Sequence, residues 1–244
     1  MKADVGGYLG VLGGMGPLAG AAFAMRLVAL TPATRDQDHI PTLLHNDPRI
    51  PDRSDARMRG GPDPLPYMLA GLRRLQAAGA SLVAIPCNTA HLWYDQLAAA
   101  ASVPVLHIVD AVVQDLRGMG IVRGCIGLMG TPATLALGLY QDRLRRHGYR
   151  CIVPDEDDIE RGCVAPIRAV KANQPAAALA PAAECARRLR ARGADAVVLG
   201  CTELPLALPH GHRAQLDVPL TDSIDALARA AIQAYGRTPL LQAA

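Results

Sequence analysis

Two stretches of this 244-residue chain lie over one another: GASLVAIPCNTAH from Gly79 and GADAVVLGCTELP from Gly193. Gly79 falls on Gly193, Ala80 on Ala194, Val83 on Val197 and Cys87 on Cys201, all at an offset of 114. Further on, VPVLHIVDA (103–111) matches VPLTDSIDA (218–226) at an offset of 115. Upstream, LGVLGGMGP (9–17) echoes IGLMGTP (126–132), with Gly10 on Gly127. Three co-linear matches in one register identify an internal repeat. The chain must therefore fold as two similar halves, each long enough only for a small layered domain.

Within each half, apolar runs alternate with amphipathic ones. YLGVLG, TLLH, SLVAIP and VPVLHI read as strands of the first half, and CIGLMG reopens the cycle in the second. PLAGAAFAMRLVAL, PLPYMLAGLRRLQAAG, TAHLWYDQLAAAA, a segment near 110–119 and PATLALGLYQDRLRRHG read as helices. Strands that are apolar on both faces and alternate with helices form a parallel sheet covered on both sides. The expected fold is α/β, with two parallel-sheet domains and a cleft between them. Residues 1–112 form the first domain, completed by a C-terminal helix at 222–244, and residues 113–221 form the second.

Composition narrows the function. The net charge is +3, the arginines are scattered and aromatic residues make up 3%, so the basic stripe and stacking rings of a nucleic-acid surface are missing. No run approaches the roughly 18 apolar residues of a membrane span, and MKADVGGYLGVLGGMG is too glycine-rich for a secretory signal. A cytoplasmic address is the expectation. Six cysteines, Cys87, Cys125, Cys151, Cys163, Cys185 and Cys201, include no C-x-x-C pair and no zinc spacing. Four of them read as small buried hydrophobes.

Cys87 and Cys201 read differently, because both stand where a strand turns into a helix. Open α/β sheets bind ligands beyond the carboxyl ends of their strands. Pro86 keeps Ile85 extended up to the turn, and Gly200 allows close backbone approach. Asn88-Thr89 and Thr202 then place short polar side chains at a helix start, which suits a carboxylate and eases a thiol of intrinsic pKa about 8.5 toward thiolate. Two halves facing each other aim two thiols at one cleft. One removes a proton from carbon and the other returns a proton to the opposite face, inverting a stereocentre without a cofactor or metal. The loop GGMG lacks the lysine of a phosphate cradle; its glycines bring backbone close to a small ligand, with Met15 covering it. His91 reads as a buttress of the helix that follows Cys87.

GGMGPLA (13–19), RDQDHIP (35–41), NDPRIPDR (46–53), PCNTAH (86–91), VKAN (170–173) and GCTELP (200–205) together resemble the aspartate/glutamate racemase family, on its aspartate racemase side. The resemblance implies a cofactor-independent racemase acting on an acidic amino acid and assembled as a homodimer. It implies Cys87 and Cys201 as the acid–base pair, with Cys201 taking the proton from the L-enantiomer and Cys87 from the D-enantiomer. Asn88, Thr89, Ala90, Thr131 and Thr202 then hold the amino-acid end. Arg53 and Lys171 hold the side-chain carboxylate, Arg53 through its fork, and Asp52 and Glu203 tune the thiols. Leu137 stands where that family usually has a small residue, which implies an altered pocket wall.

Rival readings share the fold or the cysteines. A hydantoin racemase fits poorly with Arg53 and Lys171, and an arylmalonate-type decarboxylase needs only one cysteine. A maleate isomerase would use one thiol as a nucleophile. A non-catalytic dicarboxylate binder would be marked by loss of a cysteine. A redox pair would need the two thiols within bonding reach.

Overall fold

The computed structural model describes residues 7–236; the parts of the two expected termini at 1–6 and 237–244 lie outside them. The first half runs through β1 (Tyr8–Gly13), α1 (Pro17–Leu30), β2 (Thr42–Asn46), α2 (Arg53–Met58), α3 (Leu65–Ala77) and β3 (Ala80–Ala84). A 3-10 turn (Thr89–Trp93), α4 (Tyr94–Ala100) and α5 (Ile108–Gly118) follow. The second half runs through β4 (Gly124–Met129), α6 (Pro132–Ala136), α7 (Leu139–Arg146), β5 (Tyr149–Ile152), α8 (Glu156–Ile159), a π turn (Glu160–Val164) and α9 (Ala165–Lys171). It closes with α10 (Leu179–Ala191), β6 (Ala196–Leu199), α11 (Leu204–Ala207), α12 (His210–Arg213), β7 (Leu220–Asp222) and α13 (Ser223–Tyr235). Both sheets are parallel, in the orders β2-β1-β3 and β5-β4-β6-β7.

The repeat is reproduced in strand register. Gly10 of β1 pairs with Val83 of β3, and Gly127 of β4 pairs with Val197 of β6. Both glycines exist for the same contact. A Cβ at Gly10 would lie 2.9 Å from the Ala80 methyl and 3.3 Å from Leu75. One at Gly127 would lie 3.1 Å from Leu189 and 3.2 Å from Ala194. Each bare strand backbone lets the helix before the next strand pack close against the sheet.

Two sequence expectations are corrected. VPVLHI is not a strand; it makes a single bridge, Val83 to Val105. Val83 N–H donates to Pro104 at 2.9 Å and Leu106 N–H returns to Val83 at 2.9 Å. The ladder stops there because Ile108 N–H donates instead to His91 Nε2 at 3.1 Å. In the second half Pro205 stands at the repeat position of His91, and the equivalent segment forms β7. PATLALGLYQDRLRRHG, expected as one helix, is two, because Gly138 adopts a left-handed φ of 69° between α6 and α7. Residues 112 and 113, the expected division between domains, both fall inside α5.

The halves exchange their closing helices. α5, which ends the first half, packs on α7 and β7 of the second; α13, which ends the second half, packs on α1 and β3 of the first. Matched ion pairs fasten the exchange. Arg26 of α1 meets Asp225 of α13 at 2.6 Å, and Arg143 of α7 meets Asp110 of α5 at 2.6 Å. Asp110 and Asp225 are repeat equivalents, and so are Arg26 and Arg143 by the same offset as Gly10 and Gly127. Under these pairs lies one core shared by both halves, with Leu9, Val11 and Phe23 against Ile126, Leu128 and Leu227. Among the described residues, no helix is long and apolar enough to cross a membrane.

A shared core predicts one unfolding transition. Trp93 is the only tryptophan and reports the first half, whereas far-ultraviolet circular dichroism reports both. The two signals should coincide on denaturation. Arg26→Ala should lower the unfolding free energy by about 1–3 kcal/mol, the range for a charged hydrogen bond, without separating them. Two resolved transitions would contradict the shared core.

Candidate active site

Cys87 lies three residues beyond β3, and Cys201 two beyond β6. Cys87 N–H closes a tight turn onto Ile85 O at 2.8 Å. Gly200 N–H donates to Met129 O at 2.7 Å, and a Cβ at Gly200 would come within 2.9 Å of that oxygen. Only glycine lets the second turn pass so close to β4. Both thiols line one narrow cavity of about 20 Å³, with Cys87 4% and Cys201 5% exposed. The first half adds Met15, Asp52, Arg53, Ser54, Asn88 and Thr89 to its wall. Thr131, Lys171, Thr202 and Glu203 come from the second.

The two thiols have different surroundings. Behind Cys87, the buried His91 ring lies with Nδ1 2.8 Å from Cys87 O. Since Nε2 accepts the Ile108 N–H, Nδ1 carries the proton and donates. Burial lowers the His91 pKa to about 4, so the ring is a neutral strut that holds the Cys87 turn. Cys201 instead donates its S–H to Glu203 Oε2 at 3.0 Å, and Thr202 Oγ donates to the same oxygen at 3.3 Å. Burial first, and then the Glu203 charge, push the Cys201 thiol well above its ordinary range, against the opposing Glu203 N–H and Lys171. Cys201 is therefore a protonated thiol at neutral pH, with a carboxylate already in contact.

The cationic side of the cavity is strained for partners. Arg53 is 7% exposed, at the start of α2. Its fork rests on carbonyls: Nη1 donates to Ile50 O at 3.3 Å and Pro51 O at 3.0 Å, and Nη2 donates to Met15 O at 2.7 Å. Its Nε is buried without a hydrogen-bond partner, and among the described residues no carboxylate forms an ion pair with it. Lys171, at the end of α9, reaches across to Asp52 at 3.9 Å. Burial pushes Asp52 upward, but the Asp55 N–H that it caps and the Arg53 and Lys171 charges hold its carboxyl below the ordinary value.

Hydroxyls of Thr89 and Thr131 also line the cavity. Thr89 Oγ lies 3.1 Å from both Thr131 Oγ and Thr134 Oγ, and Thr131 donates to Thr134 at 2.9 Å. Asn88 has both amide ends engaged: Nδ2 donates to Ser223 Oγ at 2.8 Å, and Tyr140 OH donates to Oδ1 at 2.5 Å. Every residue that the sequence marks for the site lines the cavity, except Ala90. The 3-10 turn directs Ala90 into the first-half core, where it is fully buried. Leu137 is 45% exposed and lines a separate surface groove with His107 and Arg143, so it forms no part of the pocket wall. The sequence reading missed Ser54, Thr134, Tyr140 and Ser223. Thr134 had a visible signal, as the capped residue three after Thr131; the others had none.

One acidic group elsewhere has metal-like spacing. His210, Asp222 and Asp225 bring ligand atoms within 4.8 Å of one another. Arg26, Arg213 and Arg229 already sit on those carboxylates, and three guanidiniums disfavour a divalent cation there.

The chain matches the family profile described as Asp/Glu/hydantoin racemase over residues 12–231. It is 27% identical over 232 residues to the broad specificity amino-acid racemase RacX of Bacillus subtilis, across 93% of this chain and 97% of that protein. The structure of Picrophilus torridus aspartate racemase is similar with a TM-score of 0.82 at 31% identity, over 94% of this chain and 95% of that one. PH1733, an aspartate racemase homologue from Pyrococcus horikoshii, is similar in fold with a TM-score of 0.74 at 23% identity, over 94% and 99%.

The contact between Cys201 and Glu203 makes a testable prediction. Glu203→Gln removes the negative charge that opposes the thiolate, so the Cys201 pKa should fall. Alkylation by iodoacetamide, followed by peptide mapping of Cys201 against pH, should then begin at lower pH than in the wild type. An unchanged profile would remove Glu203 from control of this thiol.

Proposed function

Because this chain belongs to the Asp/Glu/hydantoin racemase family, and is thereby a racemase, we propose that it interconverts the L- and D-forms of an acidic amino acid, aspartate first and glutamate second, between two opposed cysteines. The observation that carries this reading is that Cys87 and Cys201, repeat equivalents, line one small cavity from different halves. The thiolate on one side takes the α-proton, and the thiol on the other delivers its own proton to the opposite face of the carbanion. The two cysteines end with protonation states exchanged, and the reverse reaction restores them. No cofactor is needed in this scheme.

For L-substrate, Cys201 acts as base, as the family resemblance implies, and must first lose its proton. Glu203, 3.0 Å from the sulfur, is placed to accept it. The buried Arg53, without an anionic partner among the described residues, lines the cavity and supports an anionic ligand; a carboxylate beside its guanidinium would balance the charge. Lys171 supplies a second cation on the same wall.

The way Arg53 is held favours a second reading of specificity. With its fork already on three carbonyls, it offers a carboxylate little of the bidentate grip that rejects other side chains. A broader acceptance of amino acids, as the name of the Bacillus subtilis relative describes for that protein, fits this arrangement.

Two experiments test the proposal. Purified protein, with nothing added, is incubated with a panel of L-amino acids, and the enantiomers are separated by chiral chromatography. Aspartate or glutamate should racemise fastest; a preference for neutral side chains would overturn the acidic assignment and favour the broad one. Cys87→Ala and Cys201→Ala should each lower turnover by at least about a hundredfold, the lower bound for a lost acid or base. Near wild-type racemisation by either variant would remove the two-thiol mechanism. Arg53→Ala should cost about 2–4 kcal/mol in kcat/KM through lost carboxylate contact and misplacement.

A further inference from the structure

We propose that Tyr140 is the positioning residue that fixes the two cysteine turns at their working separation across the cleft, with Ser223 as a second tie. This rests on the two-thiol reading above. Tyr140 lies on α7, 1% exposed. It touches both turns at once. Its hydroxyl donates to Oδ1 of Asn88, the residue after Cys87, at 2.5 Å. Its ring lies against Gly200, the residue before Cys201; a Cβ there would come within 3.0 Å of the ring Cε2.

Ser223 makes the second connection. Its Oγ accepts from Asn88 Nδ2 at 2.8 Å and donates to Leu199 O, at the end of β6, at 3.1 Å. Two side chains from the second half thus tie the residue after one thiol to the two residues before the other. Asn88, Tyr140, Ser223 and Leu199 are at most 2% exposed and Gly200 is buried, so water does not compete for these bonds. Asn88 is spent on this link by its Oδ1 and one amide hydrogen, and its main task becomes alignment.

The chemistry gives the link its purpose. A carbon acid passed between two thiols needs both sulfurs within about 3–3.5 Å of reacting positions on opposite faces, and a misplacement near 1 Å costs about a hundredfold. The sulfurs sit on separate halves, which the shared core, the exchanged helices and their ion pairs hold together; a direct tie between the two turns sets the gap more sharply than those distant contacts.

Tyr140→Phe removes the hydroxyl and keeps the ring on Gly200. It should lower kcat about 10- to 100-fold and leave KM within about twofold, because no side chain that lines the cavity is replaced and Asn88 keeps its bond to Ser223. Ser223→Ala should act in the same direction. Leu144→Ala, in the same helix and fully buried but on neither turn, should lower the melting temperature while keeping kcat. A second readout needs no substrate: dibromoacetone, a short bis-electrophile, bridges paired thiols, and peptide mapping counts Cys87–Cys201 bridges against single alkylation. That ratio should fall at least about threefold in Tyr140→Phe, in step with the lost alignment. A Tyr140→Phe enzyme with wild-type kcat and an unchanged bridging ratio would overturn the proposal. If neither acidic amino acid proves to be a substrate, the function proposed above falls, and the bridging ratio alone decides the role of Tyr140.

Discussion

Arg26 reaching to Asp225 and Arg143 reaching to Asp110 are the same ion pair made twice, each time between halves. The rest of the architecture depends on this exchange. Each half gives its closing helix to the other, so neither α5 nor α13 is covered without its partner domain. The apolar surface beneath them becomes one core instead of two, with Phe23 and Leu227 in the same cluster as Ile126 and Leu128. Two small domains that would each be marginal alone are thereby made into one cooperative unit. The consequence for the site is geometric. The strand-to-helix turns of both halves are brought to a single cavity, and two equivalent cysteines, one per half, line it from opposite domains.

Duplication makes the turns alike, and later divergence makes the thiols unequal. Behind Cys87 stands His91, a neutral ring that holds the Cys87 carbonyl and caps Ile108. Beside Cys201 stands Glu203, a carboxylate that holds the thiol proton. The His91 ring also explains a fold detail, because it takes the N–H that would have continued a fourth strand in the first half. A racemising pair needs one partner protonated and one not at any instant. Burial and the Glu203 charge bias Cys201 toward the thiol before any ligand arrives.

The repeat was legible because its signal is a one-dimensional register. Gly10 on Gly127 and Val83 on Val197 are visible as letters, and the sheets preserve those same pairings. The helix α1 was legible from Pro17 at its first turn, and α3 from Gly79 just past its end. VPVLHI misled because its sequence is that of a strand, and the ring that ends its ladder comes from His91, fifteen or more residues away in the chain. Gly138 was a visible breaker inside an otherwise helical pattern and was read through. In the site, residues carried on motifs were legible: Cys87, Thr89, Arg53, Thr202. Tyr140 and Ser223 were not, since each acts through a partner on another element and no local pattern marks a buried hydroxyl that bonds 52 or 135 residues away. The occupied fork of Arg53 was equally hidden, because its acceptors are backbone carbonyls that every residue carries.

Two opposed thiols are tested most directly in heavy water. L-aspartate is incubated with the enzyme, and both enantiomers are separated early and weighed by mass spectrometry. If one thiol removes the α-proton and the other delivers a different one, the D-aspartate formed carries solvent deuterium at the α-carbon while the recovered L-aspartate stays largely protiated. A single base serving both faces would label the two enantiomers together from the start, and that result would contradict the two-thiol site.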